Sequence, residues 1–256
     1  MAWYLQELAE LSPARIWRLL SQPWKIRIAL TAFTASSNAD AVRFLFPDVS
    51  PESAEQCRME FLRNEQFFAE LNRKMVEKRH RRTLCGGWHE FLYMAVRFAK
   101  PQTVFETGVF DGESSSVILQ ALKDNDSGQL VSIDLPAVEK IQGSTHRMLE
   151  TALPPGCRPG WVIPDYLRDR QRLVLGDSRQ LLPQLLKECG KADIFFHDSL
   201  HTFEHQYFEY SAAWPYLPEG GLLLSDDILW SGAFQKFCKE KHKRFVRLSG
   251  FGAVRK

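Results

Sequence analysis

One stretch restricts the fold more than any other: Thr103 to Ser116, TVFETGVFDGESSS. Val104 and Phe105 are β-formers, Glu106 stands where a short strand would end, and Gly108 and Gly112 precede a helix-like run from Ser114 to Lys123. The order is strand, tight turn, helix. Glycine in such a turn permits positive φ and lets the backbone lie against a ligand where a Cβ would intrude. Ser114, Ser115 and Ser116 can cap the helix, whose free N–H groups then face the same crevice. The dinucleotide fingerprint G-x-G-x-x-G is not met, because Phe110 stands two places after Gly108 and Glu113 follows Gly112. The pattern is Glu-x-Gly-x-x-x-Gly, which suits a pocket for some other nucleoside-bearing cofactor.

The chain beyond the turn sets the architecture. Strands are expected at 103–107, 129–133, 172–176, 193–197, 221–225, 244–248 and 251–255, with helices between most of them. Alternation of this kind implies an α/β fold, a doubly wound, Rossmann-like and mostly parallel seven-stranded sheet. The last two strands lie too close for a helix between them. They should form an antiparallel C-terminal hairpin around Ser249-Gly250.

The chain before the turn reads as helical. Apolar residues recur at helical spacing through Trp3, Leu8, Ile16 and Leu20, and Pro23 to Thr34 is a basic amphipathic stretch. Ser36 to Pro51 reads as a loop, Pro51 to Arg82 as one long helix closing on the basic run KRHRR, and Gly86-Gly87 as a break before a helix ending at Pro101. A basic helix end is accounted for by the helix dipole and solvation rather than by nucleic acid. The expected division is residues 1–85 as a helical extension (a lid, oligomerisation or substrate region) and 86–256 as the cofactor-binding domain.

Composition excludes several classes. Of 256 residues 45% are hydrophobic and 25% charged, as in an ordinary globular protein, and a net charge of +2 gives no reason to expect nucleic acid as partner. Five cysteines at 57, 85, 157, 189 and 238 form no C-x-x-C pair, which fits reduced thiols. No apolar run reaches the ~20 residues of a membrane span. Residues 1–20 lack the order of a signal peptide, so a cytoplasmic location is expected.

In a doubly wound sheet, ligands bind beyond the carboxyl ends of the strands. Acids stand there in succession: Glu106, then Asp134 in SIDLP, then Asp177 beside Gly176 and Ser178 in LVLGDS. Asp134, some way past the glycine turn, can accept both ribose hydroxyls, whereas Asp177 can equally cap a helix. The fourth strand ends in FFHDSLHTFEH and the fifth in GGLLLSDDILW, so Asp198, Asp226 and Asp227 should converge on one cleft. Carboxylates drawn together repel and favour a hard cation such as Mg²⁺. The Asp226-Asp227 pair can instead cap a helix from Ile228 to Lys239.

Together ETG-x-x-x-G-x-S-S, SIDLP, GWVIPDYLRDR, LVLGDS, HDSLHTFEH and LLLSDDI resemble the class I S-adenosylmethionine-dependent methyltransferases over roughly residues 90–256. Within that class the resemblance is to a bacterial group related to macrolide-sugar and rhamnosyl O-methyltransferases and cephalosporin hydroxylase-like proteins. It implies S-adenosylmethionine bound by Glu106, Thr107, Gly108, Gly112, Ser114, Ser115, Asp134, Leu135, Gly176, Asp177, Ser178 and His197, with Asp177 near the adenine. It also implies Mg²⁺ or a similar ion on Asp198, Asp226 and Asp227, as in metal-dependent relatives such as catechol O-methyltransferase. His201, three residues past Asp198, stands where those enzymes carry their general base. Histidine changes charge near neutral pH and suits that role. The reaction implied is O-methylation of a hydroxyl on a small molecule or sugar, catalysed by Asp198 and His201.

His197 should point away from Asp198 by strand alternation, and His205 should share a helix face with His201. His-x₃-His without H-E-x-x-H gives little support for zinc, and there is no G-x-S-x-G elbow or P-loop. Two rival readings stay open. One is an iron oxygenase using Asp198, His201 and a second histidine; the other is a non-catalytic cofactor-binding module. The N-terminal helices offer a surface for homo-oligomers, and substrate choice is expected in residues 1–85 and 143–170.

Overall fold

The computed structural model describes residues 37–136 and 153–256. The expectations for residues 1–36, and for the first part of the 143–170 segment, lie outside them. Four helices come first: α1 (Asn38–Leu45), α2 (Pro51–Leu62), α3 (Glu65–Arg79) and α4 (Trp88–Ala99). Then follow β1 (Thr103–Thr107), α5 (Glu113–Asp124), β2 (Gln129–Asp134), a 3₁₀ turn (Asp165–Arg170), β3 (Gln171–Leu175) and α6 (Ser178–Cys189). The chain closes with β4 (Ile194–His197), α7 (Phe203–Ala213), β5 (Leu222–Ser225), α8 (Ile228–Ser231), α9 (Ala233–Glu240), β6 (Phe245–Leu248) and β7 (Phe251–Arg255).

The seven strands form one sheet in the order β3-β2-β1-β4-β5-β7-β6. The first five pair in parallel, while β7 runs antiparallel to both β5 and β6. The C-terminal hairpin is therefore present where the short spacing requires it. Strand order reverses between β1 and β4, the switch point at which such sheets open a crevice. Register puts Thr107 beside Ile133 and His197, and His197 beside Ser225. The next residues on β1, β4 and β5 thus leave the sheet at one level.

Side chains alternate across the strands and divide the core in two. Val104, Phe196, Leu222 and Leu224 face α1 to α5, where Val42, Phe61, Phe67, Leu71, Met75 and Phe91 are all buried. Phe105, Val131, Phe195 and Leu223 face α6, α7 and α9 through Leu182, Leu186, Tyr210, Phe234 and Phe237. Each fully buried Phe or Leu is worth roughly 1.5–3 kcal/mol of transfer free energy. The helices before the turn are thus part of the packing that holds the sheet.

Two helical expectations are corrected. The segment Ser36 to Pro51 contains α1, which begins where Ser37 Oγ accepts from the Asp40 N–H at 3.1 Å. Residues that look like a polar loop are here a helix cap. The long helix of 51–82 is two helices, because Asn64 Oδ1 accepts from the Phe67 N–H at 3.0 Å and starts α3 afresh. The chain then leaves α3 through His80 in the left-handed conformation, φ 54°.

Candidate active site

Gly108 leaves β1 with φ +84°, and a Cβ there would sit 2.0 Å from the carbonyl oxygen of Asp198. The turn therefore crosses the end of β4 in direct backbone contact. Gly112, φ +100°, is pressed against Gly160, whose Cα lies 2.7 Å from where its Cβ would be. The turn is closed over by the chain around 160: Gly160 N–H donates to Phe110 O at 2.8 Å and Val162 N–H to Asp111 O at 3.1 Å.

Asp134 is at this turn, as its place after β2 requires. Its Oδ2 accepts from the N–H groups of Val109 and Phe110 at 3.1 and 2.7 Å, and Oδ1 from Leu135 at 2.7 Å. Burial pushes its carboxyl up, partly offset by these three donors. Glu106 is fully buried; Oε2 accepts from Ser115 Oγ at 2.6 Å and Ser132 Oγ at 2.9 Å, and Oε1 has no partner. Desolvation raises its pKa to about 8. The serines do not cap α5: Gly112 is the N-cap, with no side-chain cap, and Ser116 Oγ turns back to Gly112 O at 2.6 Å. Ser114 hydrogen-bonds to Asp198 instead.

Asp177 is exposed and caps α6 through the Arg179 N–H at 2.8 Å, beside Gly176, while Leu135 is 46% exposed. Ser178, Thr107 and His197 are engaged elsewhere. They converge with His205 and Ser199 on Glu209, a residue of α7 that no sequence motif marks. Glu209 Oε1 accepts from Ser178 Oγ (2.5 Å) and Ser199 Oγ (3.0 Å) and lies 2.8 Å from His205 Nε2. Its Oε2 accepts from Thr107 Oγ1 (2.5 Å) and lies 2.6 Å from His197 Nδ1. These partners hold its carboxyl well below the usual carboxylate range despite complete burial. Only the spacing of His205 and Glu209, one helical turn apart, signals this hub in sequence. Its other partners come from three separate parts of the chain: the end of β1, the start of α6 and the end of β4.

His197 accordingly faces away from Asp198, and desolvation lowers its pKa. His201 does not share a helix face with His205, because Thr202 caps α7 and leaves His201 in the preceding loop. There its Nδ1 lies 3.2 Å from Asp227 Oδ2 and its Nε2 3.6 Å from Asp198 Oδ1. The loop after β4 and the loop after β5 are joined through this one ring. Asp226 N–H donates to His197 O at 2.9 Å, and Asp226 Oδ1 accepts from the Asp227 N–H at 2.8 Å.

Asp227 is not a helix cap. It has φ +49° and no side-chain cap bond, and the helix expected over 228–239 is split into α8 and α9 at Gly232. Burial and the neighbouring acids push Asp198 and Asp226 well above the ordinary carboxylate value, and burial raises Asp227. This is the chemistry of a hard-cation donor set. As the side chains lie, however, no three acidic, imidazole or thiol groups among the described residues come together on one metal position.

A second acid missed in sequence is Asp111, inside the glycine turn and 3% exposed. Arg79 Nε and Nη2 grip its two oxygens at 3.0 and 2.7 Å, and Trp161 Nε1 donates to Oδ1 at 2.8 Å. Next to it, Glu113 accepts from Arg81 Nη2 (2.9 Å), Thr83 Oγ1 (2.5 Å) and the Leu84 N–H (2.7 Å). The basic run that closes α3 thus binds the acids of the glycine turn. All five cysteines are free thiols. No described helix is long and apolar enough to cross a membrane.

Residues 105–228 match the family model described as a methyltransferase domain. No curated protein matches the sequence. Among solved structures, the S-adenosylhomocysteine-bound methyltransferase PaMTH1 of Podospora anserina has a TM-score of 0.52 at 14% identity, covering 81% of this chain and 96% of that one. The O-methyltransferase NovP has a TM-score of 0.52 at 13% identity, covering 66% and 78%. CalS11, a calicheamicin methyltransferase, has a TM-score of 0.49 at 21% identity, covering 81% and 93%. At such identities PaMTH1 and NovP speak for the fold alone. From β1 to β5 this chain matches a methyltransferase-domain model, and its sheet shares its fold with the methyltransferases PaMTH1 and NovP.

Proposed function

We propose that the protein is an S-adenosylmethionine-dependent O-methyltransferase acting on a hydroxyl of a small molecule or sugar. The observation that carries this reading is His201, held between Asp198 and Asp227 at the mouth of the β4 and β5 ends. When bound, S-adenosylmethionine supplies a methyl group on a positively charged sulfur. The residues fit such a ligand: the glycine turn keeps backbone free of side chains, and the orphan Glu106 Oε1 offers an acceptor to an ammonium group.

His201 accepts the proton of the acceptor hydroxyl, and the carboxylates on either side stabilise the imidazolium that forms. The hydroxyl oxygen would then be free to take the methyl group in line, with orientation supplying much of the rate. Its new bond to carbon is balanced by loss of the carbon–sulfur bond and departure of S-adenosylhomocysteine. Asp198, Asp226 and Asp227 are the residues that would hold Mg²⁺ or a similar ion, which supplies a Lewis acid that lowers the hydroxyl's pKa. Support for the ion is the donor chemistry; drawing the three acids together would require Asp227 to leave His201.

The iron-oxygenase alternative is not favoured. It needs two histidines and one carboxylate facing outward, and His197 is fully buried against Glu209. The reading is tested by titrating S-adenosylhomocysteine calorimetrically with and without Mg²⁺, and by turnover on a panel of sugar and phenolic acceptors. His201→Ala should bind S-adenosylhomocysteine as the parent does and lose about 10²–10⁴ in kcat. An unchanged kcat removes His201 as the base. EDTA should abolish turnover and Mg²⁺ restore it; activity indifferent to EDTA removes the ion and leaves the histidine mechanism.

A further inference from the structure

The basic run of α3 contributes to a second feature. One side of α3 and the chain from Gly156 to Arg168 form the walls of a cleft with a cavity volume of about 370 Å³. Arg73, Lys74, Lys78, Arg158 and Arg168 line it, against a single acid, Glu77. On α3, positions 73 and 77, and 74 and 78, are one turn apart, which brings their charges to one side. Across from them stands Trp161, whose indole N–H is already spent on Asp111.

The cations fall into two groups. Lys74 and Arg168 build the walls: Lys74 Nζ donates to Ile163 O at 2.7 Å and pairs with Asp165 at 3.1 Å, and Arg168 Nη2 donates to Gly160 O and Ile163 O at 3.0 and 3.1 Å. Arg73 and Arg158 are exposed and make no hydrogen bond or ion pair among the described residues. Among the described residues Lys78 meets only its sequence neighbour Glu77, at 3.4 Å. Like charges gathered in a concave site focus a positive potential and are relieved by an anion. Guanidinium groups beside an ammonium are the donors that phosphate oxygens take.

We propose that this cleft is a binding site for the phosphate groups of a small diphosphate-bearing molecule. Its volume suits a compact ligand rather than a membrane surface or a nucleic-acid strand. Its walls are also the two elements that hold the cofactor turn, α3 through Arg79 on Asp111 and the 160 segment through Gly160 on Phe110. A ligand bridging them tightens the turn, so its binding and that of S-adenosylhomocysteine favour each other. The proposal stands on the cleft itself and holds whether or not methyl transfer is the reaction.

The test is calorimetric titration of inorganic pyrophosphate, and separately of a nucleoside diphosphate, into the protein at low salt. Pyrophosphate should bind, and the double variant Arg73→Glu/Arg158→Glu should weaken it by at least about tenfold while leaving the S-adenosylhomocysteine affinity in the absence of phosphate unchanged. Glu77→Gln, which removes the one acid, should tighten it about two- to threefold, an effect that misfolding cannot produce. A nucleoside diphosphate binding about tenfold tighter than pyrophosphate assigns the site to a nucleotide-type ligand; equal affinity assigns it to phosphate groups alone. Absence of pyrophosphate binding, equal binding by the double variant, or tighter binding of a single-stranded oligonucleotide or of phosphatidylserine vesicles overturns the proposal.

Discussion

Glu209 and Asp226 both lie beside the ends of β4 and β5, yet their surroundings push them in opposite directions. Glu209 is fully buried among two imidazoles and three hydroxyls, and its carboxyl is held low. Asp226 is half-buried, its charged neighbours are mainly Asp198 and Asp227, and its carboxyl is held high. A buried charge with a full set of partners rigidifies the fold. One crowded by like charges has a vacancy in its electrostatics that only a proton or a ligand relieves. The same cleft therefore has a saturated acid beneath it and unsaturated acids at its mouth, and the second set is where chemistry is expected.

The largest effect should come from breaking the saturated set. Glu209→Ala leaves two histidines and three hydroxyls without their shared acceptor and should cost roughly 3–5 kcal/mol in denaturant unfolding. A cost below about 1 kcal/mol would show that the hub is not what holds β1, β4, α6 and α7 together at this end.

Glu106 tests the unsaturated side through pH. Its folded pKa, about 8, lies above the unfolded value, so the folded state binds the extra proton between the two. Stability should therefore fall as pH rises through that window. Glu106→Gln removes the slope: equal to the parent near pH 4, it should be the more stable by up to about 4 kcal/mol at pH 8 and above. Thermal melts across pH 4–9 check this, and parallel curves for the two proteins would mean that Glu106 has an unseen counter-charge.

The smallest shift should be at Asp226. Asp226→Asn relieves repulsion and should leave the fold as stable as the parent or up to about 1 kcal/mol more so, while turnover falls. Loss of stability comparable to that of Glu209→Ala would erase the distinction between the two acids.

The sheet was legible because its strands are short apolar runs bounded by glycine, proline or aspartate. Expected and observed limits differ by one residue at most, as with 172–176 against Gln171–Leu175. Positions at or just past each strand end were legible for the same reason, and Asp134, Asp198, Asp226 and Asp227 are at the cleft. Orientation was not. Thr107, Ser178 and His197 stand at the right level, but their side chains turn to Glu209, which is 102 residues from Thr107 and 31 from Ser178. Nothing local encodes such a meeting. Arg79 and Asp111, 32 residues apart, show the same limit. The missed helix α1 and the break at Asn64 have a narrower cause, since Ser and Asn favour loops and helix starts for one reason: their side chains bond nearby N–H groups.

Gly108 carries a consequence for anyone reshaping this protein. Its missing side chain is the space through which the carbonyl of Asp198 passes, 2.0 Å from where a Cβ would be. The glycine turn after β1 and the loop after β4 are pinned together at that joint, and neither can be moved alone. An engineer seeking a wider cleft should leave the β1–β4 joint untouched and redraw the loops that cover it.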